Sequence, residues 1–129
     1  MFFPIDPTSG VAIYEQVVRQ IKFAVAGGVL RTGELVPSVR ELARELAINP
    51  NTVARAYRQL QDEAVLRTIR GTGLAIAAGA VERCRRERVR LIRDRLRQVL
   101  DEARNSRIDF DDLRTLIERE LKAVEQKEP

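Results

Sequence analysis

The stretch LAINPNTVARAYRQL, residues 46–60, sets Asn-Pro-Asn between two runs of helix formers. A proline inside a helix removes a hydrogen bond and clashes with the preceding turn, so one helix must stop here and another begin. Asn49 is a favourable N-cap, and Pro50 suits the first helical position, where its missing N–H costs nothing. The spacing predicts a helix from Pro50 that buries Val53, Ala56, Tyr57 and Leu60. Asn51, Thr52, Arg55 and Arg58 are left on the outer surface, at or near the N-terminal end of that helix.

Upstream, Ser38-Val39-Arg40-Glu41 reads as a capping box that opens a short helix with Leu42, Ala43 and Leu46 inward. Ala47-Ile48 then form a tight turn. Two short helices so joined make a helix-turn-helix, whose second helix enters the major groove of DNA with its N-terminal end leading. An earlier helix is expected over residues 11–26, on Ile13, Val17, Val18, Ile21 and Val25, ended by Gly27-Gly28 and followed by the linker VLRTGELV. Downstream, Leu66, Thr68 and Ile69, then Leu74 and Ile76, flank Arg70-Gly71-Thr72-Gly73 and predict a two-stranded hairpin. A hairpin directly after a recognition helix is a wing, and Arg70 at its tip is placed to reach phosphate or the minor groove.

From Ala80 onward the pattern is helical. Val89, Ile92, Leu96, Val99 and Ala103 step by three and four residues as a heptad-like seam. Arg83, Arg85, Arg86, Arg88, Arg90, Arg93, Arg95 and Arg97 run between them, and Glu82, Glu87, Asp94 and Asp101 are spaced to pair with that run as a solvated face. Asn105-Ser106 break the helix. Asp109 caps a last one, with Phe110, Leu113, Ile117, Leu121 and Val124 as its apolar stripe. A helix over residues 80–104 would be about 37 Å long, too long to bury both faces in one small domain, so the seam needs a partner. A symmetric homodimer is the commonest solution.

Composition narrows the chemistry. The chain has no His and a single Cys, Cys84, which removes ordinary zinc sites, His-based triads and an internal disulfide. No cofactor and no catalytic role are expected. A net charge of +4, mostly from arginine, permits a nucleic-acid partner without demanding one. The start MFFPIDPTSG has neither the basic region nor the apolar run of a signal peptide, and no stretch approaches the ~20 apolar residues of a membrane span. A soluble cytoplasmic protein without a membrane partner is expected. Cys84 lies beside Arg83, Arg85 and Arg86, neighbours that favour thiolate, so a redox-sensing use stands beside the plainer reading of an incidental cysteine.

Over residues 6–77, the segments IYEQVVRQI, VPSVRELARELAINPNTVARAYRQLQDE and RGTG resemble the GntR family of bacterial transcription regulators, most closely its YtrA-type branch. The two-helix tail matches that branch in length and kind. The resemblance implies a mostly α fold with a small β wing: a winged helix-turn-helix over residues 1–78 and a helical dimerisation tail over 79–129. It also implies a dimeric operator-binding regulator, usually a repressor, often of operons encoding ABC transporters. The family's helix-two arginine falls on Arg40, and its polar recognition-helix start on Asn51 and Thr52. Positions where other branches carry base-reading arginines are Pro50 and Ala54 here, so base readout is assigned to Asn51 and Arg55. Ala47 and Ala64 stand where the family favours glycine, and the wing lacks the common basic residue at Thr72 and the aromatic after Gly73.

Contacts to double-stranded DNA are therefore expected from Ser38, Arg40, Asn49, Asn51, Thr52, Arg55, Arg58, Arg70, Gly71 and Thr72. Arg55 and Arg58 have a second use open, an ion pair with Asp62. The dimer interface is expected at Val89, Ile92, Leu96, Val99, Ala103, Leu113, Ile117 and Leu121. A small-molecule effector, where one exists, should bind between subunits or near Gly79, because a two-helix tail cannot enclose a ligand alone. The rival reading is a winged helix kept for protein interaction with vestigial DNA binding, motivated by Ala47, Ala64 and the weak wing.

Overall fold

The computed structural model describes residues 4–127; residues 1–3, part of the stretch read above for a signal peptide, and residues 128 and 129 lie outside it. The described elements are α1 (Ile13–Ala26), α2 (Val39–Leu46), α3 (Pro50–Asp62), β1 (Leu66–Ile69), β2 (Gly73–Ile76), α4 (Ala80–Asn105) and α5 (Phe110–Glu125). They fall into two compact units, Met1–Val89 and Arg90–Pro129. The first unit runs past the boundary expected at residue 78, because Ala80 and Cys84 at the root of α4 are buried in its core.

In the first unit, Val17, Ile21 and Val25 of α1, Leu42 of α2, and Val53, Ala56, Tyr57 and Leu60 of α3 share one aliphatic core with Leu66 and Ile76 of the hairpin. The stripe expected on α3 is buried throughout; on α1 and α2 the expected Val17, Val18, Ile21, Val25, Leu42 and Ala43 are buried, while Ile13 and Leu46 are half-buried. Helix α1 begins later than residue 11, since Ser9 Oγ accepts from the Val11 N–H and Ala12 occupies the N-cap position. It ends as expected: Gly28 turns left-handed at φ 79° and the Val29 N–H returns to the Ala24 carbonyl. β1 and β2 pair antiparallel with Leu66 opposite Ile76 and Ile69 opposite Gly73. The linker before Pro37 is more ordered than its sequence suggests. Leu35 bridges Ala75, and the Val36 N–H donates to the Leu74 carbonyl, so this segment lines the edge of the wing.

Ala47 and Ala64 adopt φ 56° and 58°, the left-handed conformations the family meets with glycine. The chain makes both left-handed turns without glycine, at a backbone cost of about 1 kcal/mol each. Ala47→Gly is expected to leave stability unchanged or raise it by up to about 1 kcal/mol, read as the midpoint of a urea melt. A clear loss would contradict the left-handed turn.

Three polar latches fasten α4 within the first unit. Lys22 of α1, buried, donates to Glu63 Oε1 and Glu87 Oε1, each at 2.8 Å. Burial presses against its charge, yet the hydrogen bonds it donates to the two carboxylates hold its pKa above the ordinary lysine value. Glu63 is the mirror case: burial pushes its pKa up, and bonds from Lys22 and Gln59 bring it below the usual carboxylate value. Arg83 donates to the Ala64 carbonyl, and Arg85 Nε donates to the Ala26 carbonyl at 3.0 Å, capping α1. At the start of the arginine run Arg83 and Arg85 thus bond backbone carbonyls, while Arg85 and Arg86 remain on the exposed face of the helix. Glu87 pairs with Lys22 instead of an arginine, while Glu82 with Arg85 and Asp101 with Arg104 pair along α4 at 3.9 and 3.6 Å.

Cys84 corrects the reading of a reactive thiol. It is 1% exposed, and burial raises its pKa against the opposing influence of Lys22 and Arg83. Arg83 and Arg85 spend guanidinium donors on the Ala64 and Ala26 carbonyls, and the buried thiol is a core side chain without the thiolate character of a reactive cysteine.

In the second unit, α4 closes with Arg107 left-handed at φ 60° and the Ile108 N–H bonded to the Ala103 carbonyl. Asp109 then accepts from the Asp112 N–H to start α5. Ala103 and Leu113, placed in the dimer seam by their spacing, are already buried within the single chain. They close the elbow between the helices and are not free surface. Ile92, Leu96, Val99, Ile117 and Leu121 remain exposed, as does Val89 at the end of the first unit.

Candidate nucleic-acid interface

The reading end is built by α2, the turn and α3. Ser38 Oγ accepts the Glu41 N–H and Glu41 Oε1 accepts the Ser38 N–H, both at 3.1 Å, the reciprocal cap expected. The Ser38 amide, then its side chain, holds the Glu41 carboxyl below its usual pKa. Asn49 Oδ1 accepts the Asn51 N–H at 2.8 Å, so this side chain starts α3 while staying exposed. Tyr57 from α3 donates its hydroxyl to the Pro37 carbonyl at 2.7 Å, fixing α3 against the entry of α2. Burial, with Glu41 and Glu45 nearby, pushes that phenol well above the usual tyrosine pKa, so it remains a donor.

On this frame Arg40, Asn51, Arg55 and Arg58 are exposed and Thr52 is half-buried. Neither Arg55 nor Arg58 makes an ion pair with Asp62 among the described residues, so that alternative use does not arise. The Arg55 guanidinium carbon lies 3.7 Å from the centroid of the Tyr14 ring on α1. Arg70, Gly71 and Thr72 form the exposed wing tip, closed by the Thr72 N–H on the Ile69 carbonyl. Gln61 Nε2 reaches Thr68 Oγ1 at 3.2 Å and ties the wing to α3. The wing also carries Arg67, exposed on β1 beside Thr68, a cation that sequence reasoning passed over. Its place in a period-two strand could have flagged it. Tyr14, by contrast, gave no signal, because nothing local couples α1 to the head of α3.

A helix-turn-helix with an exposed polar head and a basic hairpin beside it is the arrangement that places side chains on base edges and backbone phosphates. Residues 13–76 match the gntR family of bacterial regulatory proteins. The chain is 36% identical over 109 residues, 84% of each chain, to the HTH-type transcriptional repressor YtrA of Bacillus subtilis (strain 168). It belongs to the gntR family. This gntR-family chain is a DNA-binding transcription regulator and not an enzyme. Solved structures agree: a transcriptional regulator from Oenococcus oeni has a TM-score of 0.71 at 33% identity, covering 93% of this chain and 99% of that one. YtrA from Sulfolobus acidocaldarius has a TM-score of 0.58 at 32% identity, over 74% and 97%. The rival reading of a vestigial DNA-binding module loses its main motive, since Ala47 and Ala64 take the backbone conformations that the family's turns require. No helix among the described residues is long and apolar enough to cross a membrane.

Proposed function

We propose that this regulator is a cytoplasmic homodimeric repressor that binds an inverted-repeat operator, in front of an operon of the transporter class that the family resemblance implies. The observation that carries the reading is the exposed seam Val89, Ile92, Leu96 and Val99 on one helix, in a chain whose recognition helix presents free polar side chains. Two such chains related by a dyad meet half-sites about 34–36 Å apart, or a multiple of it. The relative YtrA of Bacillus subtilis is named as a repressor, which supports the direction of control. An effector, where one exists, belongs between subunits or near Gly79. The elbow of the second unit holds an open groove of about 330 Å³ lined by Leu100, Phe110, Leu113 and Ile117 with Arg104 and Arg114, which a second subunit could wall off.

Within the site, Asn51 and Arg55 read bases, with Thr52 beside them. Ser38, Asn49 and Arg58 flank the head, Arg40 at the start of α2 is open to base or phosphate, and the wing tip Arg70-Gly71-Thr72 holds backbone. The test compares Arg55→Ala and Arg70→Ala on the operator, a single-base variant and random duplex, at two salt concentrations. Arg55→Ala is expected to lose about 1–3 kcal/mol of discrimination, the worth of a bidentate arginine–guanine pair. Arg70→Ala should weaken all sequences alike and lower the salt slope by about one for each phosphate that is no longer neutralised. Equal weakening of operator and random duplex by Arg55→Ala would make it a phosphate clamp.

A further inference from the structure

We propose that Tyr14 is a positioning residue for base recognition: its ring holds the Arg55 guanidinium in place before DNA arrives. The proposal rests on the reading of Arg55 as a base contact. Tyr14 sits in the first turn of α1, half-buried and packed against the core, so the ring is an anchored platform. Arg55 projects from α3 with its guanidinium carbon 3.7 Å from the ring centroid, close enough for the planar group to lie on the aromatic face. Its donors are unspent: among the described residues Arg55 makes no hydrogen bond or ion pair, whereas Arg83 and Arg85 spend theirs on carbonyls. Stacking occupies only the face of a guanidinium. The N–H edge, which pairs with guanine O6 and N7, stays open.

A long arginine side chain on an exposed helix otherwise samples many rotamers, and ordering it opposes binding. A ring that selects one rotamer in advance removes part of that cost only for sequences that use the ordered geometry. Tyr14 would thus raise discrimination rather than general affinity for DNA.

The experiment uses the full chain and a duplex selected by it from a random-sequence library, with single-base variants and random duplex as competitors. Tyr14→Leu, which removes the ring, should lower discrimination about two- to fivefold, the range of a cation–π interaction at an exposed site, and leave random-duplex binding unchanged. Tyr14→Phe, which keeps the ring, should match the wild type. In an Arg55→Ala background, Tyr14→Leu should cause no further loss of discrimination. Equal loss on all duplexes, equal damage from Tyr14→Phe, or an undiminished effect in the Arg55→Ala background would each overturn the proposal. If Arg55→Ala lowers discrimination and Tyr14→Leu does not, this inference falls alone. If Arg55→Ala leaves discrimination intact, the reading of Arg55 falls with it.

Discussion

Replacing Ile92 and Leu96 together by glutamate is expected to yield monomers that bind the operator about 10²–10⁴-fold more weakly, the gain that linking two binding modules provides. Both residues are 50% exposed in the single chain, on a helix whose apolar side chains recur at three and four residues. Large aliphatic side chains in such a row are stabilised by a partner that removes them from water, at about 25 cal/mol per Å² of apolar surface covered. Glutamates at the same places would put like charges into the apolar seam of both subunits. Because Ala103 and Leu113 close the elbow of the single chain, each monomer should still fold, and circular dichroism should show it. Light scattering reads the mass and a gel shift reads the affinity. An unchanged mass would mean that the chain associates through another surface.

The second large effect is on stability. Lys22→Met is expected to destabilise the first unit by roughly 2 kcal/mol at neutral pH, below the ~3–5 kcal/mol typical of a broken buried pair. The discount follows from exposure: the Glu63 and Glu87 side chains are 38% and 36% exposed and can turn partly to water, while the lysine itself is buried. The pH dependence has a definite sign. Glu63 has a folded-state pKa below its ordinary value, so its contribution is present above about pH 4.5 and is lost as pH falls through the folded value. The raised pKa of Lys22 makes its contribution full at neutral pH and lost only as pH rises above the ordinary lysine range. Wild type and Lys22→Met should therefore differ most at neutral pH and converge only in acid, once pH has fallen through the depressed folded-state pKa of Glu63. Urea melts across that range check the prediction, and a gap that persists undiminished in acid would show that the loss is one of packing.

Local rules were enough to place the helix-turn-helix. Pro50 admits only the first turn of a helix, Asn49 caps it, and Ser38 with Glu41 closes its own box, each within a few residues of chain. The buried stripe of α3 follows from the helical period of 3.6. These are properties of short segments, so neighbouring residues in sequence determine them. What only the tertiary structure decided involves groups far apart in the chain. Lys22 finds Glu63 and Glu87 across three elements, Arg85 finds the end of α1, and Tyr14 lies under Arg55. Cys84 sits among arginines in sequence, but its helical position turns it into the core. Leu35 joins the edge of the wing although its own segment has no strand pattern. The physical reason is common to all of them. Periodicity says which face of an element is buried, but the charge, ring or strand edge that meets that face is set by how the elements pack, and a pattern read along one segment contains no term for it.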